Sequence, residues 1–184
     1  YPYSCHPKDQ LMQQAEMRKR FFFGDVQCRG HYPSYVRKEW ENKGYQIVME
    51  DGDAELLARG TADYFAFSYY RSYAVSAEPE KMKSVGGGFA VAADNPYLKQ
   101  SAWGWQIDPE GLRYVLSLLT ERYELPLMVV ENGIGLHEEK DEAGKIQDDE
   151  RIAYFAAHIE QMKKAVEEDG VELWGYCPWG PIDL

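Results

Sequence analysis

The chain has little cysteine, no long apolar run and few bases for its acids. Its three cysteines, Cys5, Cys28 and Cys177, are an odd number without CxxC or CxxH spacing. That pattern argues against a disulfide framework and a cysteine-based zinc site, and it makes a reducing cytoplasm the default location. No stretch approaches the roughly 20 apolar residues that a membrane helix needs, and the mean hydropathy is −0.56, so no membrane partner is expected. Tyr1 to Gln10 lack the basic and apolar segments of a secretory signal. With 20 bases against 31 acids, the net charge is −11. This balance speaks against nucleic acid or anionic lipid as partners, because binding phosphate needs a concentrated cationic surface. His6, His31, His137 and His158 are scattered without ligand spacing, so no metal is expected.

What the chain does have is aromatic residues, 14 Tyr, 7 Phe and 5 Trp, within a hydrophobic content of 45%. That supply of apolar surface is enough to offset chain ordering and excludes disorder. The 184 residues suit one domain. They fall short of the roughly 250 typical of a complete (β/α)₈ barrel. Because Tyr1 is not an initiator methionine and Leu184 follows Pro181-Ile182-Asp183 without a tail, the chain reads as a piece cut from something longer.

Helical and extended patterns alternate, which predicts an α/β fold with parallel strands. Helices are expected at 9–21, 34–42, 53–59, 109–123 and 151–169, with Gly44, Gly60 and Gly170 as their stops. The stretch 24–34, with Gly30 and Pro33, is expected to be loop. Leu112, Val115, Leu116 and Leu119 share one helical face, and Ile152, Phe155, Ile159, Met162 and Val166 share another. Strands are expected at 63–70, 125–130 and 171–177. Residues 71–106 show no periodicity, and a structureless loop of that length in a compact domain is usually functional. The Gly86-Gly87-Gly88 run lacks the following Lys-Ser/Thr of a phosphate loop and reads as loop flexibility.

Each strand hands over to a polar and aromatic loop, and in parallel α/β barrels chemistry sits at such strand ends. Val129-Val130-Glu131-Asn132-Gly133 places a carboxylate at the end of an apolar strand. Glu131 is either a site residue or a solvated acid beside an Asn-Gly turn, and spacing alone leaves both open. Ser68-Tyr69-Tyr70 ends the preceding strand, where a phenol would orient a neighbouring carboxylate, or where Tyr69 and Tyr70 simply pack at a strand rim. Trp103, Trp105, Trp174 and Trp179 offer flat faces for a sugar ring or for core packing.

Taken in order, these segments resemble glycoside hydrolase family 1. Val130-Glu131-Asn132-Gly133 is similar to its nucleophile motif and Phe65 to Tyr70 to its sixth-strand motif. Phe23-Gly24-Asp25 through Tyr32-Pro33 resembles its Asp…Gly-x-Tyr-Pro loop. Asn95-Pro96-Tyr97-Leu98-Lys99, Trp103-Gly104-Trp105-Gln106-Ile107-Asp108-Pro109 and Pro178-Trp179-Gly180-Pro181-Ile182-Asp183-Leu184 resemble the bacterial 6-phospho-β-glucosidase branch. The resemblance covers almost the whole chain. It implies an incomplete barrel holding about strands six to eight, with 1–184 a single fragment and at most the end of strand five near Tyr1 to Ser4. It also implies retaining hydrolysis of a phosphorylated β-glucoside without cofactor. Glu131 would be the nucleophile, Tyr70 its orienting partner, and Trp179, Tyr69, Ser68, Trp103, Trp105 and Asn132 the substrate contacts. The family's Asn-Glu-Pro acid motif does not occur in the chain, and its phosphate-binding loop would follow Leu184. Inactivity of the isolated chain is therefore expected. So is self-association through the open sides of the barrel. Two other readings stay open: a non-catalytic carbohydrate-binding module, and a trimmed piece with no activity of its own.

Overall fold

The computed structural model describes residues 1–85 and 90–180. The Gly86-Gly87-Gly88 run and Pro181 to Leu184, which carried expectations above, lie outside the described residues. Helices α1 (Pro7–Arg29), α2 (Ser34–Lys43) and α3 (Asp53–Arg59) precede strand β1 (Phe65–Ser68). A single 3₁₀ turn (Pro79–Lys81) and an antiparallel pair, β2 (Lys83–Val85) and β3 (Ala90–Ala92), follow. Then come α4 (Pro109–Tyr123), β4 (Leu127–Asn132), α5 (Asp149–Glu167) and β5 (Leu173–Pro178). Strands β1, β4 and β5 form one parallel sheet in the order β1-β4-β5, so each outer strand has one neighbour among the described residues.

Helix α4 starts where its sequence signals put it. Pro109 occupies the first turn and the Asp108 carboxylate accepts the Gly111 amide at 2.8 Å. Leu112, Leu116 and Leu119 then meet Leu127 and Val129 of β4, together with Met162 and Ala165 of α5, in the main core. Leu112, Leu116, Leu127 and Val129 are fully buried, and each contributes roughly 1.5–3 kcal/mol by leaving water. Phe65 stacks on Tyr123 from the β1 side.

Helix α1 is longer than expected and runs through Gly24 to Arg29. Gly24 serves close packing: a Cβ there would lie 2.7 Å from both the Phe65 ring and the Tyr123 hydroxyl. The stop is Gly30 in the left-handed region, φ 68°. Next to Gly24, the fully buried Asp25 receives a two-pronged bond from Arg122 (2.7 and 2.6 Å) and hydroxyls from Tyr35 and Tyr123. Burial alone would raise the Asp25 carboxyl, but these donors more than offset it and hold it low.

Helix α5 also turns a different face inward. Tyr154, His158, Met162 and Ala165 are buried; Met162 belongs to the expected stripe, while Ile152, Ile159 and Val166 of that stripe are exposed. Polar anchoring sets this rotation, since the Tyr154 hydroxyl reaches the end of β4. Tyr1 to Tyr3, expected near the end of a fifth barrel strand, pair in parallel with Val75 beyond β1.

Candidate active site

Strand β4 carries one residue more than its neighbours near its end. Phe67 pairs with Val129 and Ser68 with Glu131, so β4 advances two residues while β1 advances one. On the other side Val129 pairs with Tyr176 and Asn132 with Pro178, again one residue more on β4. A bulge of this kind re-aims the side chains that follow it. Leu127 and Val129 face the helices and are fully buried. Even alternation would send Glu131 the same way. The surplus residue instead turns Glu131 to the open face of the sheet and Asn132 to the helix layer.

The carboxylate meets the end of β1 on that open face. Its Oε2 accepts hydrogen bonds from the Ser68 hydroxyl at 2.8 Å and from the Tyr70 hydroxyl at 3.1 Å. Partial burial and then the bond to Glu131 push the Tyr70 phenol up to about 12, so it stays protonated and donates throughout the neutral range. The edge of the Tyr70 ring lies against Trp105, whose ring in turn meets Trp103 at right angles. The Arg71 guanidinium stacks 4.3 Å from the centre of the Trp105 ring.

Glu131, Tyr70, Trp103 and Trp105 line a cavity of about 460 Å³, with Trp179 beyond the end of β5 and with Glu138 and Arg151 on its wall. Arg151 pairs with Glu138 and, at 2.8 Å, with Asp148, tying the loop after β4 to the start of α5. Trp103 and Trp179 are about half exposed. Both depend on glycines in that loop. A Cβ on Gly135 would fall 2.3 Å from the Trp103 ring, and one on Gly133 2.7 Å from the Trp179 carbonyl oxygen. Among the described residues no group of three or more His, Cys, Asp or Glu is placed to hold a metal ion, and no helix is long and apolar enough to cross a membrane.

Glu131, Tyr70, Ser68, Trp103, Trp105 and Trp179 thus come together, but two expected ligand contacts do not join them. Tyr69 is 6% exposed in the core, its hydroxyl donating to the Asp108 carbonyl at 2.8 Å, because it follows Ser68 on the alternating strand. Asn132 is fully buried, its amide donating to the Tyr69 carbonyl and the Tyr154 hydroxyl and accepting from Tyr176 at 2.8 Å. It is a strut between β1, β4, β5 and α5, and its own carbonyl accepts the Trp179 amide at 2.7 Å. Sequence reasoning missed Tyr154, Tyr176 and Arg71 as supports. The closely spaced Gly133 and Gly135 beside a Trp-rich segment were the available signal for the loop that seats the tryptophans.

The family model for glycosyl hydrolase family 1 matches residues 1–184. The chain is 51% identical over 187 residues to the aryl-phospho-beta-D-glucosidase BglA of Bacillus subtilis, covering all of this chain and 39% of that protein. It is 45% identical over 188 residues to a 6-phospho-beta-glucosidase of Clostridium longisporum, again spanning 39% of it. Among solved structures, a family 1 β-glucosidase from Thermotoga maritima superposes with a TM-score of 0.74 at 27% identity, over 97% of this chain and 38% of that one. The chain therefore spans about two fifths of the length of the curated relatives it matches, and it belongs to glycosyl hydrolase family 1.

Proposed function

We propose that residues 1–184 are one piece of the catalytic barrel of a retaining 6-phospho-β-glucosidase, contributing about strands six to eight, and that Glu131 is its nucleophile. The observation that carries this reading is the Glu131 carboxylate at the ends of three parallel strands, held by the Tyr70 phenol and facing a cavity with tryptophan walls. The relatives' names supply the substrate class, phosphorylated β-glucosides.

In this mechanism a carboxylate oxygen of Glu131 attacks the anomeric carbon. The bond to the leaving oxygen breaks, its electron pair going to that oxygen, which takes a proton from a carboxylic acid. Water then attacks the same carbon, the ester bond breaks with its pair returning to Glu131, and the water proton passes to the conjugate base of the acid. The family's acid motif is absent from this chain, so the acid comes from outside residues 1–184, as do the cations for the sugar phosphate. Tyr70 holds the Glu131 carboxylate in one plane, Trp179 floors the ring that is attacked, and Trp103 and Trp105 shape the exit of the leaving group. A cytoplasmic location belongs to the same proposal, in keeping with three free cysteines.

General acid-base help contributes roughly 10²- to 10⁴-fold, so the isolated 184-residue chain should turn over little or no substrate. A second reading, sugar binding without turnover, has its own support in the tryptophan walls, which do not depend on the acid. The test is a 2-fluoro-glucosyl 6-phosphate reagent applied to the full-length protein, followed by peptide mapping. The label is expected on the peptide containing Glu131, and a label on another carboxylate overturns the assignment. Calorimetry of the isolated chain with glucose 6-phosphate separates the second reading: micromolar binding without hydrolysis by the full-length protein favours it.

A further inference from the structure

Ser68 closes β1 one pleat before Tyr70, and its hydroxyl stands 2.8 Å from Glu131 Oε2, the oxygen that the Tyr70 hydroxyl approaches at 3.1 Å. Two donors converge on one carboxylate oxygen. Among the described residues, Oε1 accepts no hydrogen bond. We propose that Ser68 is a positioning residue for Glu131, the second donor that makes its two oxygens unequal and leaves Oε1 as the attacking atom. The proposal rests on Glu131 being the nucleophile.

Hydrogen bonds to a charged acceptor are about twice as strong as neutral ones. Two of them on Oε2 draw negative charge to that atom and fix the carboxylate plane, with the Oε1 lone pairs toward the cavity. A serine hydroxyl has one proton, and here it is spent on Glu131, so Ser68 has only lone pairs left for a sugar. The short side chain sits directly opposite Glu131, where the surplus residue of β4 brings the two together.

The consequences differ between the two chemical steps. In the first, the bond from Oε1 to the anomeric carbon forms as the bond to the leaving oxygen breaks, and Oε2 becomes the ester carbonyl, still accepting from Ser68 and Tyr70. In the second, water attacks the anomeric carbon and the carboxylate departs with the electron pair of the Oε1 bond. The negative charge then returns to a group whose Oε2 is already bonded to two donors, so Ser68 acts most on the release of Glu131.

The experiment traps the full-length protein as its 2-fluoro-glucosyl 6-phosphate ester and follows reactivation. Ser68→Ala is expected to slow reactivation about tenfold, Ser68→Thr to restore it, and both to keep the parent affinity for glucose 6-phosphate. Unchanged reactivation with affinity lowered tenfold would make Ser68 a sugar contact and overturn the proposal, as would no change in either. A parent protein that neither hydrolyses nor is trapped refutes the proposed function instead. The ¹³C carboxylate resonance of Glu131 at pH 8 then decides on Ser68: a shift in Ser68→Ala that returns in Ser68→Thr supports it, and the same resonance in all three overturns it.

Discussion

Gly133 and Trp179 meet backbone to backbone: a Cβ built on Gly133 would stand 2.7 Å from the Trp179 carbonyl oxygen. The loop after β4 therefore seats the tryptophan that follows β5. Gly133→Ala should push Trp179 off its position. The expected result is about tenfold weaker binding of glucose 6-phosphate by the full-length protein, read by calorimetry, with the melting temperature nearly unchanged. A parent-like affinity would mean that Trp179 does not contact the sugar.

Tyr70 offers a second test, since its phenol donates to Glu131 at 3.1 Å. A hydrogen bond to a charged group is worth about 1.5–3 kcal/mol, roughly tenfold to hundredfold in rate. Tyr70→Phe in the full-length protein should lower kcat by that amount and leave KM close to the parent. Because the phenol is pushed up to about 12, it stays protonated below that, and the alkaline side of the rate profile between pH 7 and 10 should be the same in both proteins. A change in KM alone would assign Tyr70 to binding instead.

Asn132 predicts a stability effect in place of a binding one. Asn132→Ala leaves the Tyr69 carbonyl and the Tyr176 hydroxyl without the bonds they now make to it, and the Tyr154 hydroxyl with its bond to the Tyr70 carbonyl alone. Each buried group so orphaned costs about 1–3 kcal/mol. Urea denaturation should show a loss of several kcal/mol, and sugar affinity measured under native conditions should hold. A variant of parent stability with weakened binding would return Asn132 to the list of ligand contacts.

His158 makes stability depend on pH. It is fully buried, its Nδ1 bonds the Tyr154 carbonyl at 2.8 Å, and its Nε2 has no partner among the described residues. Burial lowers its affinity for a proton below the ordinary value of 6.5. The unfolded chain takes up a proton near 6.5 while the folded chain does not. The stability held above that pH is therefore lost progressively as pH falls below it, toward the folded value. Urea midpoints should drop between pH 7.5 and 5.5, and His158→Phe should make that drop smaller. An equal drop in both proteins would locate the acid sensitivity elsewhere.

The elements with strong local signals were legible in the sequence. Pro109 to Tyr123 is a helix with the same ends in sequence and structure, because Asp108, Pro109 and four well-spaced aliphatics all act within the segment. The readings that failed depended on distant partners. The loop expected over 24–34 rested on Gly30 and Pro33, yet Gly24 lies within α1, where it lets Phe65 and Tyr123 approach, and both are remote in sequence. The inward face of α5 was set by Tyr154 reaching Asn132, a bond between residues 22 positions apart, which overruled the aliphatic stripe. At the site, Glu131 and Tyr70 were marked by their places at strand ends. Tyr69 and Asn132 were misplaced because a motif lists residues without saying which side of the strand each occupies. Residues 71–106 hid the β2-β3 pair, whose three-residue strands are too short to show a period.

The surplus residue in β4 bears on any attempt to transplant the motif. Grafted onto an evenly alternating parallel strand, Val-Glu-Asn-Gly would offer its amide to the ligand and bury its acid, because a one-residue slip in pairing exchanges the two faces of a strand. The four letters carry their chemistry only together with the irregularity in pairing that comes just before the glutamate.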